Sequence, residues 1–170
     1  MHRPTNSDDP KAIGLAPFDG LLFRELYYSL VYTSGKWPHS TSIPQIGQSV
    51  RHLPTDNEWI TLEVSLGLPQ ASGLNQDWRS EGEVGHKMKS TAGWSSNGNG
   101  SDESSFSVLP GGFRDGDGVF YYLRESARYW TATKNTKGEP WVRYLQFDQK
   151  GVYRNARATD RGLSVRCLKD

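Results

Sequence analysis

The segment Leu-Pro-Thr-Asp-Asn-Glu-Trp, at residues 53–59, constrains the fold of this 170-residue chain more than any other segment. Thr55 and Glu58 have the spacing of a capping box, in which each side chain accepts a hydrogen bond from the backbone N–H of the other residue. Gly67 then offers the left-handed backbone conformation that ends many helices. These signals predict a helix from about residue 56 to residue 66. Its apolar face is made of Trp59, Leu62 and Leu66.

The last third of the chain has the pattern of short strands separated by turns. Phe113-Arg114 and residues 119–123 flank an Asp-Gly-Asp-Gly turn, which predicts a hairpin. Aromatic and β-branched residues predict further strands at residues 106–109, 129–133, 142–147, 151–154 and 163–168. The predicted fold class is α+β, with one or two helices packed on a twisted antiparallel sheet and with long irregular loops.

Residues 68–104 are rich in glycine, serine and asparagine and predict a long irregular surface segment. We expect Trp78 and Trp94 to pin this segment to the body of the domain, and stacking on a sugar ring is the alternative use of these indoles. The other tryptophans of the last 120 residues are predicted to be core residues, namely Trp59, Trp130 and Trp141.

Composition and charge argue against several classes of protein. The net charge of +1 gives no global field that would attract nucleic acid or an anionic membrane. The single cysteine, Cys167, cannot form a disulfide within the chain, and the four histidines are scattered, which argues against a zinc enzyme. No secretory signal and no membrane span are visible, because the longest apolar run, at residues 21–32, is interrupted by Arg24 and Glu25.

Six ordered segments resemble the Fibrobacter succinogenes major paralogous domain family, which is common in surface and secreted bacterial proteins. They are His-Leu-Pro-Thr-Asp-Asn-Glu-Trp at 52–59, Ser-Val-Leu-Pro-Gly-Gly-Phe-Arg at 107–114, Tyr-Trp-Thr-Ala-Thr at 129–133, Trp-Val-Arg-Tyr-Leu at 141–145, Gly-Val-Tyr-Arg-Asn at 151–155 and Gly-Leu-Ser-Val-Arg-Cys-Leu-Lys-Asp at 162–170. The resemblance implies that residues 52–170 form a C-type-lectin-like domain, similar to formylglycine-generating enzymes and to the variable proteins of diversity-generating retroelements. It also implies a secreted or cell-surface recognition or adhesion module.

Residues 1–51 depart from the family pattern. The stretch at 43–51 reads Ile-Pro-Gln-Ile-Gly-Gln-Ser-Val-Arg, where family members usually carry Cys-Pro-x-Gly-Trp. Apolar residues at 19–32 recur at helical spacing behind a candidate N-cap, Asp19, and a strand is the competing interpretation. We therefore expect residues 1–51 to form a divergent N-terminal arm, with this candidate helix, that packs loosely.

The candidate chemical groups argue against catalysis and against a metal. The related formylglycine-generating enzymes use paired cysteines, whereas here strand alternation puts the lone Cys167 on an apolar face with Leu163 and Val165. The acidic turn at 115–118 lacks the glutamate that closes a calcium loop. We therefore predict no enzyme activity, no metal and no cofactor.

Strand alternation also predicts a polar binding face. Leu145, Phe147 and Val152 are expected to point inward, so that their neighbours along the chain point outward. Tyrosine, asparagine and arginine on a rigid sheet combine a large contact area with hydrogen bonding. The candidate ligand-binding residues are Tyr144, Gln146, Tyr153, Asn155, Arg157 and Arg161. The alternative is an ordinary solvated strand face with cross-strand aromatic pairs.

The predicted function is ligand recognition or adhesion, with a protein or a glycan as the partner and no nucleic acid. A basic excess near the C-terminus indicates an anionic glycan or an acidic protein, and it consists of Lys150, Arg154, Arg157, Arg161, Arg166 and Lys169. A structural or self-association module of a surface assembly is the alternative, and an enzyme of the formylglycine-generating type is disfavoured. The sequence specifies neither the ligand nor an oligomeric state.

Overall fold

The computed structural model describes residues 51–170 of the chain. In these residues there are two α-helices, α1 (Asp56–Ser65) and α2 (Val84–Met88), and two turns of 3-10 helix, Gln70–Ser72 and Glu81–Glu83. The strands are β1 (Arg51–His52), β2 (Asp77–Arg79), β3 (Phe113–Arg114), β4 (Phe120–Tyr121), β5 (Ser126–Lys134), β6 (Pro140–Gln146), β7 (Val152–Ala156) and β8 (Leu168–Lys169). The predicted N-terminal arm and its candidate helix lie outside the described residues, apart from residue 51.

Strands β2, β7, β6 and β5 form a four-stranded antiparallel sheet in that order. Two further two-stranded antiparallel sheets pair β1 with β8 and β3 with β4. The pairing of β1 with β8 joins the two ends of the described chain. Helices and antiparallel sheets occur together, and the α+β prediction is confirmed.

Helix α1 begins and ends at the signals seen in the sequence. The backbone N–H of Thr55 donates to Glu58 Oε2 at 2.7 Å, and the backbone N–H of Glu58 donates to Thr55 Oγ1 at 3.2 Å. At the other end the φ of Gly67 is 113°, a conformation that glycine adopts without strain. The helix predicted at 56–66 is confirmed, and its last helical residue is Ser65.

The four-stranded sheet carries hydrophobic cores on both faces. On its inner face, which we define as the face toward α1, the ring centroid of Trp59 lies 5.6 Å from those of Phe106 and Tyr129. Helix α2 and the loop after it complete this inner core with Val84, Met88 and Trp94. The outer face carries a smaller core made of Leu53, Phe113, Trp130, Val142 and Leu163.

The segment at 68–104 is more ordered than the irregular loop that was predicted. It contains β2, α2 and both 3-10 turns. Trp94 pins it as expected, because its indole is buried and its Nε1–H donates to Ser90 Oγ and to the Val108 carbonyl oxygen, both at 3.2 Å. Trp78 also attaches the segment to the domain, but as a residue of strand β2 that pairs with β7 and not from an irregular loop.

Helix α2 packs on the loop that joins β6 to β7. A Cβ added to Gly85 would lie 2.0 Å from the backbone oxygen of Gly151, so only glycine permits this approach. The buried Lys89 donates to the backbone carbonyl oxygen of Gln149 in the same loop at 3.0 Å and to that of Gln146, at the end of β6, at 3.1 Å. Burial lowers the pKa of Lys89 to about 8, against a weaker opposing effect of Asp148.

Two of the predicted strands are wrong. Residues 106–109 form no strand, and Val108 makes only an isolated bridge with Lys89. Of residues 163–168 only Leu168 lies in a strand, β8. Leu163 belongs to the outer core and Leu168 to the inner core, so this segment passes from one core to the other instead of following one sheet.

A network of buried charges joins α1 to the inner face of the sheet. Asp56 and Glu63 on α1 contact Arg79 on β2, Arg143 on β6 and Arg154 on β7. All five side chains are at most 6% exposed. We call these five residues the charge network.

The contacts of the charge network are short. Arg143 bridges the two carboxylates at 2.7 Å each, Arg79 reaches Glu63 at 2.8 Å, and Arg154 reaches Asp56 at 2.6 Å. Burial by itself raises the pKa of Asp56, but the guanidinium groups of Arg154 and Arg143 outweigh it and lower that pKa. The assignment of Arg154 to a basic surface is therefore wrong, because its charge is neutralised inside the domain.

We expect Asp56→Asn to lower the free energy of unfolding by about 3–5 kcal/mol, because it leaves the buried guanidinium of Arg154 without its counter-charge and leaves Arg143 with only that of Glu63. Urea unfolding measures the change. Asp160→Asn is the matched control, since Asp160 is exposed, and it is expected to cost less than about 0.5 kcal/mol. A cost below about 1 kcal/mol for Asp56→Asn would contradict the role given to the charge network.

The lowered pKa of Lys89 predicts a change of stability with pH. The unfolded chain keeps the proton of this amine up to its ordinary pKa of 10.5, whereas the folded chain releases it near pH 8. The unfolded state therefore binds more protons between these values, and the contribution of Lys89 to stability rises from about pH 8 to 10.5. Lys89→Met removes this contribution. Urea unfolding between pH 8 and 10.5 measures the free energy of unfolding of the parent chain and of Lys89→Met. If this free energy changes equally with pH in the two chains, the prediction is wrong.

Candidate functional site

Four of the six candidate residues lie together on the outer face of the sheet. Tyr144 on β6 and Tyr153 on β7 are direct partners, and their rings stack with centroids 5.1 Å apart and planes 14° apart. Asn155 Nδ2 donates to the Tyr153 hydroxyl at 3.0 Å. Arg157, just beyond β7, donates to the Tyr144 hydroxyl at 2.8 Å and to the Tyr153 hydroxyl at 3.3 Å. All four residues are half-buried.

The other two candidates lie beside this group. Gln146 is half-buried at the end of β6, opposite Ser126, on the same face as Tyr144. Arg161 forms an ion pair with Asp115 at 2.9 Å, which partly neutralises its charge. The structure thus brings a tyrosine, asparagine and arginine cluster together and leaves Gln146 and Arg161 at its borders.

The stacked tyrosines belong to a longer row that crosses all four strands. Trp78, Tyr153, Tyr144 and Arg128 are successive partners from β2 to β5. Trp78 meets Tyr153 edge-on with ring centroids 5.3 Å apart, and Arg128 Cζ lies 4.5 Å from the Tyr144 ring. Phe113 covers the other side of this guanidinium, and Tyr122 stacks on Phe113. The aromatic row consists of Trp78, Tyr153, Tyr144, Arg128, Phe113 and Tyr122.

The aromatic row is a rigid surface, because each group contacts the next one. Stacked and edge-on aromatic pairs, and guanidinium groups over rings, each contribute to stability beyond the area that they bury. The contacts hold the side chains in single orientations, with the tyrosine hydroxyls fixed by Asn155 and Arg157. Little conformational freedom is left to lose when a partner binds here.

An exposed hairpin strand adjoins the aromatic row at Tyr122. Residues 119–123, which we call the apolar hairpin, are five consecutive large apolar residues, and Phe120 and Leu123 are 61% and 70% exposed. Tyr122 and Arg124 have positive φ angles of 57° and 67°, which are unusual outside glycine.

Sequence reasoning missed Arg128, Trp78 and the apolar hairpin. The cross-strand register that brings Arg128 and Trp78 to the tyrosines cannot be read from the spacing within one strand. The apolar hairpin did carry a signal. In a half-exposed strand polar residues alternate with apolar ones, and residues 119–123 contain five large apolar residues in succession. They were assigned to an ordinary strand of which only Phe120–Tyr121 forms.

The remaining candidate groups are the lone cysteine, the possible metal ligands and the possible membrane spans. Burial raises the pKa of the Cys167 thiol, which keeps it in the protonated, weakly nucleophilic form at neutral pH. Within residues 51–170, no group of three His, Cys, Asp or Glu side chains is placed to hold a metal ion. No helix in this part of the chain is long and apolar enough to span a bilayer.

Two further residues differ from their predicted positions. Arg166 is not a surface residue but is buried, with Cζ 3.8 Å from the centre of the Phe106 ring. Trp141 is half-buried instead of lying in the core, and it covers the Arg154 guanidinium at 3.6 Å. The core positions predicted for the remaining pair, Trp59 and Trp130, are confirmed.

The fold and the surface together define an α+β domain whose sheet is held by buried charges on one face and carries a row of aromatic and arginine side chains on the other. Residues 51–169 match the model of the family described as the Fibrobacter succinogenes major domain. Because the match covers well over half of the chain, the chain belongs to this family, and the resemblance seen in the sequence is confirmed. No curated protein and no solved structure was found to match it.

Proposed function

We propose that this domain is a non-catalytic recognition or adhesion module, which presents the outer face of its sheet to a protein or glycan partner. The observation that carries the proposal is the aromatic row, a continuous set of contacts across four strands whose members, apart from the buried Phe113, are half-buried or exposed. Tyrosine, tryptophan and arginine are the residues that contribute most to binding energy at protein interfaces. Here they are held in place before any partner arrives.

The apolar hairpin favours a protein over a glycan. Five consecutive apolar side chains exposed to water are a costly feature, and such patches mark interaction sites. A protein partner can bury these side chains with its own apolar residues, whereas a sugar offers mainly hydroxyl groups. The polar cluster of Tyr153, Asn155 and Arg157 would then form the hydrogen-bonding part of the same interface.

The finer fold and the location of the domain are part of the proposal. The family resemblance supports a C-type-lectin-like arrangement, related to the variable proteins of diversity-generating retroelements, and a secreted or cell-surface position. The pairing of β1 with β8 is in keeping with such a domain, because it brings the two ends of the described chain side by side. A module of this kind can be attached to a larger surface protein at one end.

Self-association is the second candidate function, and the apolar hairpin is the observation that favours it. Two copies could cover residues 119–123 of each other. Light scattering of the full chain separates the two functions: a stable dimer that Leu123→Ala dissociates supports self-association, whereas a monomer supports recognition of a different partner. Leu74→Ala is the control, because Leu74 is 68% exposed and Leu123 is 70% exposed.

We expect a ligand found on arrays of glycans and of surface proteins to bind the double variant Tyr153→Ala/Arg157→Ala at least tenfold more weakly, which is about 1.4 kcal/mol. The reason is that both residues belong to the rigid polar cluster on the outer face. Leu74→Ala/Lys150→Ala, at exposed positions outside the aromatic row, is expected to bind like the parent chain. Unchanged binding by the first variant, with its thermal unfolding intact, rules out the polar cluster of Tyr153, Asn155 and Arg157 as part of the site.

A further inference from the structure

The guanidinium of Arg128 is held more firmly than that of an ordinary surface arginine. It lies between the Phe113 ring, 3.6 Å from Cζ, and the Tyr144 ring, 4.5 Å from Cζ. Its Nε–H donates to Ser126 Oγ at 3.2 Å. Among the described residues, its Nη1 and Nη2 atoms donate no hydrogen bond, and neither atom is fully buried. The group is therefore oriented, and its terminal donors are unused within this part of the chain.

The outer face also carries positive charge that its own carboxylates do not balance. Within residues 51–170, neither Arg128 nor Arg157 forms an ion pair, and Arg157 donates instead to neutral hydroxyl groups and to a backbone carbonyl. Burial lowers the pKa of Arg128, and the nearby charges of Arg161 and Arg157 lower it further. Arg161 has a partner in Asp115, but Arg128 and Arg157 leave a local excess in a chain whose net charge is only +1. Such an excess favours an anionic partner.

We propose that Arg128 binds a carboxylate of an acidic protein segment, whose apolar side chains cover the apolar hairpin. This inference rests on the proposed recognition function and specifies the partner. A stacked guanidinium with two unused terminal nitrogens has the planar geometry that pairs with a carboxylate through two parallel hydrogen bonds. Tyr122 connects the two parts of the site, because it stacks on Phe113 and belongs to the hairpin.

An acidic peptide fits this surface better than an acidic polysaccharide. Sugars bind aromatic side chains through free ring faces, but in the aromatic row the faces of Tyr144 are covered by Tyr153 and by Arg128. The hairpin, in addition, offers apolar area that a polysaccharide cannot cover with matching groups. A glutamate or aspartate of the peptide can pair with the Arg128 guanidinium, and leucine-like neighbours can cover the apolar hairpin.

The test uses the full chain and a labelled, end-blocked peptide of alternating leucine and glutamate, with binding measured by fluorescence anisotropy. Three comparison probes are the leucine–glutamine peptide, the serine–glutamate peptide and polygalacturonate. We expect the leucine–glutamate peptide to bind most tightly. Arg128→Gln should weaken it about tenfold or more, as the loss of a charge-assisted pair predicts. Arg128→Lys keeps the charge but loses the planar guanidinium, so its affinity for the peptide should lie between those of the parent chain and of Arg128→Gln.

Lys150→Gln is the matched control, because it removes the same charge from an exposed side chain that pairs with Glu83. Equal weakening by Arg128→Gln and Lys150→Gln overturns the proposal, since it shows a general charge effect. Failure of the leucine–glutamate peptide to bind, or tighter binding of polygalacturonate, also overturns it. In the parent chain, the peptide should shift the Nε–H signal of Arg128 in a nitrogen-15 spectrum, a readout that needs no variant.

The two proposals fail in different ways. If Tyr153→Ala/Arg157→Ala abolishes binding of a natural partner while Arg128→Gln has no effect on that partner or on the peptide, the recognition function stands and the carboxylate site is wrong. If Arg128→Gln weakens the peptide while Tyr153→Ala/Arg157→Ala changes no binding, the carboxylate site stands and the polar cluster around Tyr153 is not part of the interface.

Discussion

The charge network is the interaction on which the rest of the structure depends. Arg143 and Arg154 are direct partners on neighbouring strands, an arrangement of like charges that is unfavourable by itself. It is tolerated because Asp56 reaches both guanidinium groups from helix α1, at 2.7 and 2.6 Å. The helix and the sheet therefore fit together in one register only, since a slip of one residue would turn both arginines away from the carboxylate.

The same register creates the outer face. Side chains alternate along a strand, so the strands that turn Arg143 and Arg154 inward must turn Tyr144 and Tyr153 outward, side by side. A buried ion pair is seldom a large source of stability, because removing charges from water is costly. We infer that its value here is specificity, and that the network selects the pairing of strands that assembles the aromatic row. The charges of the inner face thus set the register, and the aromatic row of the outer face follows from it.

Much of this could be predicted from the sequence where local rules apply. Thr55, Glu58 and Gly67 fixed helix α1 because capping and the left-handed stop are short-range effects. The long strands β5 to β7 followed from their aromatic and β-branched residues. The outward tyrosines followed from alternation alone, because one side of each strand is apolar.

The rest depends on contacts between distant parts of the chain. Arg154 and Arg166 were assigned to the surface because charged side chains rarely lie inside a protein, and their partners lie far away in the sequence. Helix α2 is short and contains glycine, so its existence depends on packing against the β6–β7 loop and not on its own residues. Arg128 lies beside the tyrosines because of the pairing between β5 and β6, which the sequence of one strand does not show. The sequence therefore predicted single members of the aromatic row, and only the structure shows that they form a continuous row.

The central claim is that the charge network sets the register that pairs Tyr144 with Tyr153. A direct test replaces both tyrosines by cysteine, Tyr144→Cys and Tyr153→Cys, and measures the yield of the disulfide between them by mass spectrometry, with Asp56 intact and with Asp56→Asn. We expect near-complete closure with Asp56 intact and a clear loss of closure in the Asp56→Asn chain. Equal yields in the two chains would show that the register forms without the charge network.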